Sequence, residues 1–197
     1  MALRAKSKGN RRSWLLLFAV IGFGFGVAIV LAKILLPGSK PPAGHSEVRN
    51  PLPLRTSATK KVHIFFASRD GRHLQAEERR IEAEDAPSAI EAIIAALLEG
   101  PQDPELASTI PAGTRLLHLF VTDNGTAYVD FTQELSRLHP GGVASERLTL
   151  YAIVNSIVLN LDSVERVLLL LEGKPAPTLT GHMDTRHPRM ANLLIVR

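Results

Sequence analysis

The sequence predicts an α+β fold in which two helices pack on one face of a mixed β-sheet, preceded by a single transmembrane helix. Three observations support this prediction. An apolar run near the start is long enough to cross a bilayer, two later segments repeat apolar residues at helical spacing, and short β-branched or aromatic runs flank those segments. One helical layer on one sheet is the economical arrangement of such elements.

The transmembrane helix is predicted at residues 14–36. The first 19 residues of this run carry no charge, and at ~1.5 Å per residue they would form a helix about 28 Å long, close to the thickness of a bilayer's hydrocarbon core. Residues 1–13 contain five basic residues and no acidic one, which predicts a cytoplasmic tail and an exported remainder. A cleaved signal peptide is the alternative; the length of the run and the lack of a clear A-x-A site favour an uncleaved anchor.

Two further features bear on anchoring and association. The chain contains no cysteine, which excludes a lipoprotein anchor, disulfides and thiolate metal sites. Gly22 and Gly26 form a G-x-x-x-G pattern that lets two membrane helices approach closely, although glycine is common in membrane helices in general. The pattern is therefore compatible with a homo-oligomer but does not predict one.

The charge is divided unevenly along the chain. Residues 37–59 include five prolines and predict an extended Pro-rich linker. Residues 1–59 hold nine Lys/Arg and one Glu, a net charge of +8, and residues 60–197 hold 14 Lys/Arg and 18 Asp/Glu, a net charge of −4. Since a nucleic-acid-binding domain needs a basic face, the acidic domain at 60–197 argues against a nucleic-acid partner.

The domain opens with a predicted strand over residues 62–67, which is rich in β-branched and aromatic residues and ends at a turn. Residues 74–83 are ambiguous, and their composition alone predicts a helix. Residues 86–99 predict an amphipathic helix with Asp85 or Ala86 at its cap and Gly100-Pro101 as its stop. Its apolar stripe consists of Ile90, Ile93, Ile94, Leu97 and Leu98.

Residues 116–131 predict a hairpin around Asp123-Asn124-Gly125. A two-residue turn and a three-residue loop give registers that differ by one residue. The three-residue loop collects the apolar residues on one face and leaves His118, Tyr128 and Asp130 on the other, so it is the preferred register. Its predicted pairs are Val121 with Ala127, Leu119 with Val129, and Leu117 with Phe131.

A second helix is predicted over residues 143–161, preceded by two glycines. Its stripe consists of Leu150, Ile153, Val154, Ile157, Val158 and Leu161. Residues 164–171 predict a buried strand and residues 193–196 a last strand, with a turn at residues 173–175.

This order of elements, with the local motifs in it, resembles the GerMN domain, the sporulation and spore-germination module named after GerM. No single motif is specific, but together they follow the family's order over most of the domain. They are a helix ending in Leu-x-Gly-Pro, an Ile-Pro-x-Gly-Thr segment, a hairpin ending in Val-Asp-Phe, an Asn-Ser-Ile helix motif and the tail LTGHMDTRHPRM, at residues 98–101, 110–114, 129–131, 155–157 and 179–190.

The resemblance implies a non-catalytic, extracytoplasmic module without a cofactor that makes protein or envelope contacts. It also implies that residues 74–81 form a strand, against their composition. The resemblance covers one copy of the module, whereas sporulation proteins of this type often hold two, which argues against a sporulation role. The expected location is the bacterial cytoplasmic (inner) membrane, single-pass, with the N-terminus inside.

Candidate chemistry is sparse. His182, Asp184 and His187 are the one cluster with metal-like residue types, but a zinc site needs three or four fixed ligands, so we predict no metal and expect Asp184 to order its loop by accepting hydrogen bonds. Asp130 and Glu134 are expected to be solvated, which leaves no catalytic pair. No cofactor-binding motif is present.

Three polar residues on or near the second helix are also assigned structural roles. Ser145 and Ser156 lack the sequence context of a nucleophile, and Ser145 is expected to help cap the helix. Asn155 is expected to hydrogen-bond the backbone of a neighbouring loop.

Two functions follow from these observations. The first is an anchored, non-enzymatic module that holds an unknown envelope protein or the cell wall. The second is an exported envelope hydrolase that uses His182, Asp184 or the domain's carboxylates; it predicts that a variant such as His182→Ala is folded but inactive.

Overall fold

The structure is a computed structural model that describes residues 57–197. The basic tail at 1–13, the predicted anchor at 14–36 and nearly all of the linker at 37–59 lie outside the described residues. Within residues 57–197, no helix combines the length and the apolar character that crossing a membrane requires.

The described domain is α+β, as predicted, but its strands form two sheets instead of one. The three-stranded sheet has the order β2-β1-β3 and is antiparallel; its strands are β1 Ala58–Ser68, β2 Leu74–Ala83 and β3 Leu106–Ala107. The four-stranded sheet has the order β4-β5-β6-β7, with β5 and β6 parallel; its strands are β4 Leu116–Val121, β5 Thr126–Phe131, β6 Arg166–Leu171 and β7 Lys174–Pro175.

The helices are α1 Ala86–Glu99, the short α2 Glu134–Arg137 and α3 Val143–Val158. The single sheet was a wrong prediction because side chains from the region of α3 take the place of a strand along β1. Asn160 accepts from the backbone N–H of His63 (2.8 Å) and donates to its carbonyl (2.8 Å), and the Ser156 hydroxyl accepts from the N–H of Phe65 (2.9 Å). β3 reaches only the last two residues of β1.

Residues 74–83 form strand β2, so the helix predicted from their composition is wrong and the strand implied by the resemblance is confirmed. Because the segment pairs with β1, its side chains alternate between the two faces of the sheet: Arg79, Ile81 and Ala83 are buried, whereas Arg80 and Glu82 are exposed. Pairing with a long neighbouring strand overrides the segment's helical propensity.

Helix α1 has the predicted bounds. Asp85 is the N-cap: its carboxylate accepts from the N–H of Ser88 (3.0 Å), and the Ser88 hydroxyl accepts from the N–H of Asp85 (3.0 Å). Gly100, at φ 95°, ends the helix. Its stripe is buried except for the half-buried Leu98.

The hairpin has the predicted loop, with Val121 opposite Ala127 and Leu119 opposite Val129. Gly125 adopts φ 74°, and a Cβ there would lie 3.2 Å from the side chain of Glu165. The predicted pair of Leu117 with Phe131 is wrong, because a bulge puts Leu116 opposite Phe131 and leaves Leu117 39% exposed.

Helix α3 ends at Val158, three residues before the predicted end, and its apolar stripe lies in the core with Phe66 and Phe131. Gly142 is its N-cap, no side chain caps it, and the capping role predicted for Ser145 is therefore wrong. The prediction of a last strand at residues 193–196 is also wrong. Leu193–Ile195 forms a 3-10 helix whose N-cap is Asn192, and of these four residues only Val196 forms a β-bridge, with Leu74.

Candidate functional site

The most completely buried acidic side chain that the structure describes is Glu146, in the first turn of α3. Its carboxylate accepts from the N–H of Leu179 (2.8 Å), from the N–H and the hydroxyl of Thr180 (3.1 and 2.9 Å), and from the N–H of His182 (3.0 Å). Burial raises the pKa of Glu146, but these donors and the N–H of Met183 outweigh it, and the pKa lies below its usual value. Glu146 is thus an ionised clamp on the loop that follows β7.

The sequence singled out His182, Asp184 and His187, and the structure gives them separate surroundings. The His182 imidazole meets Glu146 at 3.2 Å. The Asp184 carboxylate accepts from the backbone N–H of Arg186 (2.9 Å) and from its guanidinium (2.8 Å), which hold its pKa well below the usual value. The loop-ordering role predicted for Asp184 is confirmed.

His187 is exposed. Among residues 57–197, no three histidines, cysteines, aspartates or glutamates are grouped so that they could hold a metal ion. The polar side chains of residues 182–187, together with Glu146, form hydrogen bonds that order this loop.

Asp130 was expected to be solvated, and this expectation is wrong: it is buried. One carboxylate oxygen accepts from the N–H of Gly173 (2.9 Å), and the other lies 3.1 Å from Nδ1 of His118. Asp130 therefore fixes the β6–β7 turn. Glu134 is half-buried, and it pairs with the exposed Arg137 (2.9 Å) within the same short helix. Asp130 and Glu134 therefore bond to different partners, and these bonds do not join the two carboxylates as a catalytic pair.

Asn155 is fully buried and holds the C-terminal segment. Its amide donates to the carbonyl of Asn192 (3.0 Å), and its oxygen accepts from the N–H of the same residue (2.9 Å). The predicted bond to a loop backbone is confirmed. Ser156 is also buried, and its oxygen accepts from β1, so it serves the fold rather than a reaction.

A Ser–His–Asp grouping that the sequence reading missed lies at the β1–β2 turn. The Ser68 hydroxyl donates directly to Asp70 (2.6 Å), and it lies 3.3 Å from Nδ1 of His73, whose Nε2 faces Gln75. In a catalytic triad the histidine stands between the hydroxyl and the carboxylate. Here the carboxylate accepts the hydrogen bond from the hydroxyl directly, an arrangement that stabilises the turn.

A cavity of about 360 Å³ lies between the end of β1, residues 107–111 and the start of α3. Next to it, His139 accepts from the N–H of Gly141 (3.0 Å) through Nδ1, and its Nε2 lies 2.9 Å from the Thr149 hydroxyl, which donates to the carbonyl of Thr109 (2.6 Å). This chain of bonds needs a neutral imidazole. Burial lowers the pKa of His139, with the charge of Glu146 acting in the opposite direction.

Two of the hydroxyls that line the cavity, those of Ser68 and Thr149, belong to the bonded groups just described. Ser68 donates to the Asp70 carboxylate and Thr149 donates to the Thr109 carbonyl, so neither hydroxyl donates to a histidine that could act as its general base.

The outer strands differ from these internally bonded clusters. β4 is the outermost strand of its sheet, and within residues 57–197 no strand pairs with its outer edge. Phe120 on β4 is 63% exposed, with its ring 6.5 Å from that of Tyr128. With Leu117, these residues form an exposed apolar surface, which we call the β4 surface.

Comparison with known proteins identifies a family and a fold. The profile of the family described as Germane, sporulation and spore germination, matches residues 63–177. No curated protein matches the chain.

Three solved structures share the fold. One, from Clostridium perfringens and provisionally described as a lipoprotein, is 22% identical, with a TM-score of 0.50 over 70% of this chain and 89% of the other. The tandem GerMN domains of the sporulation protein GerM from Bacillus subtilis are 13% identical, with a TM-score of 0.52 over 68% of this chain and 46% of theirs. The first GerMN domain of that protein is 13% identical, with a TM-score of 0.51 over 68% and 98%.

Proposed function

The chain belongs to the Germane family of sporulation and spore germination domains, whose profile covers more than half of its length, and from this premise we propose that it is a membrane-anchored, non-enzymatic module that holds an envelope protein outside the cytoplasmic membrane. Residues 14–36 would anchor it in single-pass orientation, residues 1–13 would stay in the cytoplasm, and residues 37–59 would space the domain at 60–197 from the membrane.

The observation that carries this proposal is the β4 surface. Elsewhere, buried polar side chains such as Glu146, Asp130 and Asn155 are bonded within the chain. On β4, the side chains of Phe120 and Leu117 face solvent, and no strand within residues 57–197 pairs with the outer edge. An unpaired edge of this composition is a template for strand addition, in which backbone bonds supply affinity and side-chain contacts supply specificity. We assign it to an extended segment of the partner protein.

Site-specific photocrosslinking in intact cells tests this function. A photoreactive residue replaces Phe120 in the full chain, and a matched chain carries it at the exposed Glu105, next to β3 in the other sheet. We expect position 120 to capture a discrete partner protein and position 105 to capture none. Equal capture from the two positions, or none from position 120, would refute the proposal.

The topology has its own test, because the chain contains no cysteine. Ser57→Cys and Ser7→Cys chains are treated with a membrane-impermeant maleimide. We expect labelling of position 57 in intact cells once any outer barrier is opened, and labelling of position 7 only after the cytoplasmic membrane is broken. Labelling in the reverse order would place the domain in the cytoplasm.

A further inference from the structure

We propose that two copies of this chain pair along the outer edge of β2, joining their three-stranded sheets into one antiparallel six-stranded sheet. β2 is the outermost strand of its sheet. Within residues 57–197, the outer edge of β2 makes backbone hydrogen bonds only near its first residue, where the Leu74 carbonyl accepts from the N–H of Arg197 (3.0 Å).

The residues that face outward follow from the pairing with β1. Backbone groups of alternate residues point to the same side of an antiparallel strand. His63 and Phe65 direct theirs to Asn160 and Ser156, so the residues between them face β2. On β2, the backbone groups that point away from β1 are then those of Ala76, Glu78, Arg80 and Glu82.

The groove beside this edge leaves room for a second strand. A cavity of about 660 Å³ runs between residues 78–81 of β2 and one face of α1. The helix presents Ala92, Ala95 and Ala96 there, so short side chains stand where larger ones would cover the edge. The two-fold axis of an edge-to-edge pair is perpendicular to the sheet, which places the two α1 helices on the same side with these alanines between them.

Charge complementarity selects a second copy as the occupant. With Arg79 opposite its own counterpart, Glu78 of each copy lies opposite the partner's Arg80, and Ala76 lies opposite the partner's Glu82. Opposite charges on directly facing residues attract across a sheet. A shift of two residues in either direction would instead put Arg80 opposite Arg80, or Glu78 opposite Glu78.

Arg79 does not oppose this register. Its guanidinium is already bonded to Glu77, to Glu99 (3.2 Å) and to the carbonyl of Gly100 (2.7 Å), and two carboxylates therefore offset its charge in each copy. Glu78 also pairs with the exposed Lys61 in its own copy (3.0 Å). Its carboxylate has a second oxygen for the partner.

The test uses two full-length copies with different affinity tags, expressed together. Arg80→Glu in both copies, or Glu78→Arg in both, sets like charges opposite each other, and we expect about tenfold or greater loss of the second copy from the purified first. Pairing an Arg80→Glu copy with a Glu78→Arg copy restores two opposite-charge pairs. We expect that mixture to recover to within about twofold of the wild type.

The matched control is the exposed pair Arg69 and Glu105 at the other end of the sheet. Arg69→Glu and Glu105→Arg make the same charge changes and are expected to leave recovery unchanged. Three results would overturn the proposal: wild-type copies that do not co-purify, single-variant pairs that co-purify normally, or a mixture as weak as the single-variant pairs. A foreign peptide on this edge in place of a second copy would give the first result. Capture by the β4 surface is independent of all three.

Discussion

The segment after β7 differs from the outer strands β2 and β4 in where its polar groups are bonded. Residues 176–192, which we call the clamped segment, are held by α3: Glu146 bonds the start of the loop and Asn155 bonds its end. Along the outer strands, backbone groups and apolar or charged side chains face solvent. The polar side chains that resemble catalytic or metal-binding groups stabilise the fold, and the binding surfaces proposed here lie on the outer strands instead.

The strongest way to break the clamped segment is to remove Glu146. Glu146→Ala leaves several buried donors without an acceptor, and we expect it to lower the free energy of unfolding by about 3–5 kcal/mol. Glu165→Ala is the control, because that side chain is 60% exposed, and its effect should stay within about 0.5 kcal/mol. Urea denaturation followed by circular dichroism measures both, and equal effects would contradict the role of Glu146.

The other end of the clamped segment depends on one side chain. Asn155→Ala removes both bonds to the Asn192 backbone, and we expect a loss of about 2–3 kcal/mol. Asn155→Asp keeps the acceptor for the Asn192 N–H but loses the donor to its carbonyl. In the same denaturation measurement it should fall between the wild type and Asn155→Ala; an alanine variant as stable as the wild type would show that Asn155 holds nothing.

Acid should loosen the bonds around His139. Its folded-state pKa is below the unfolded value of 6.5, so the folded state binds fewer protons, and the stability from this residue is present above pH 6.5 and is lost as pH falls below it. The fall in unfolding free energy between pH 7.5 and 5.5 should be smaller in His139→Asn than in the wild type. An unchanged fall would contradict a neutral, buried imidazole.

Glu146 titrates in a lower range. Its folded-state pKa is below 4.5, so its contribution to stability is present above that pH and is lost as pH falls through the folded-state pKa. Acid unfolding of the wild type should therefore be steeper below pH 4.5 than that of Glu146→Gln. Parallel acid transitions in the two proteins would contradict an ionised clamp.

The outer strands should show the opposite behaviour. Phe120→Ser changes a mostly exposed side chain, and we expect the free energy of unfolding to change by no more than about 0.5 kcal/mol. Phe66→Ser is the matched control in the core, where Phe66 is fully buried; there we expect about 3–5 kcal/mol or a failure to fold. A large loss in Phe120→Ser would mean that β4 is part of the fold rather than a free surface.

Several of the features predicted correctly from the sequence are set by near neighbours. The cap at Asp85, the stop at Gly100 and the loop at Gly125 each depend on residues within a few positions, and each is found where its pattern predicts it. Asp184 also bonds a residue two positions away, and its role was predicted.

Several of the missed features depend on distant partners. Asp130 meets Gly173, and Glu146 meets residues 179–182, more than 30 positions along the chain in each case, so their burial has no local pattern. Residues 74–83 form a strand because β1 lies beside them, although their own composition favours a helix. The second sheet was missed because polar side chains, rather than a strand, take the free edge of β1.

The central claim is that this protein acts through the β4 surface and not through the clamped segment. The most direct test compares full-length His182→Ala and Phe120→Ser chains, present at equal levels in cells, by the amount of partner protein chemically crosslinked to each. We predict that His182→Ala captures as much partner as the wild type and that Phe120→Ser captures at least about tenfold less. Retained capture by Phe120→Ser, with loss in His182→Ala, would contradict the claim.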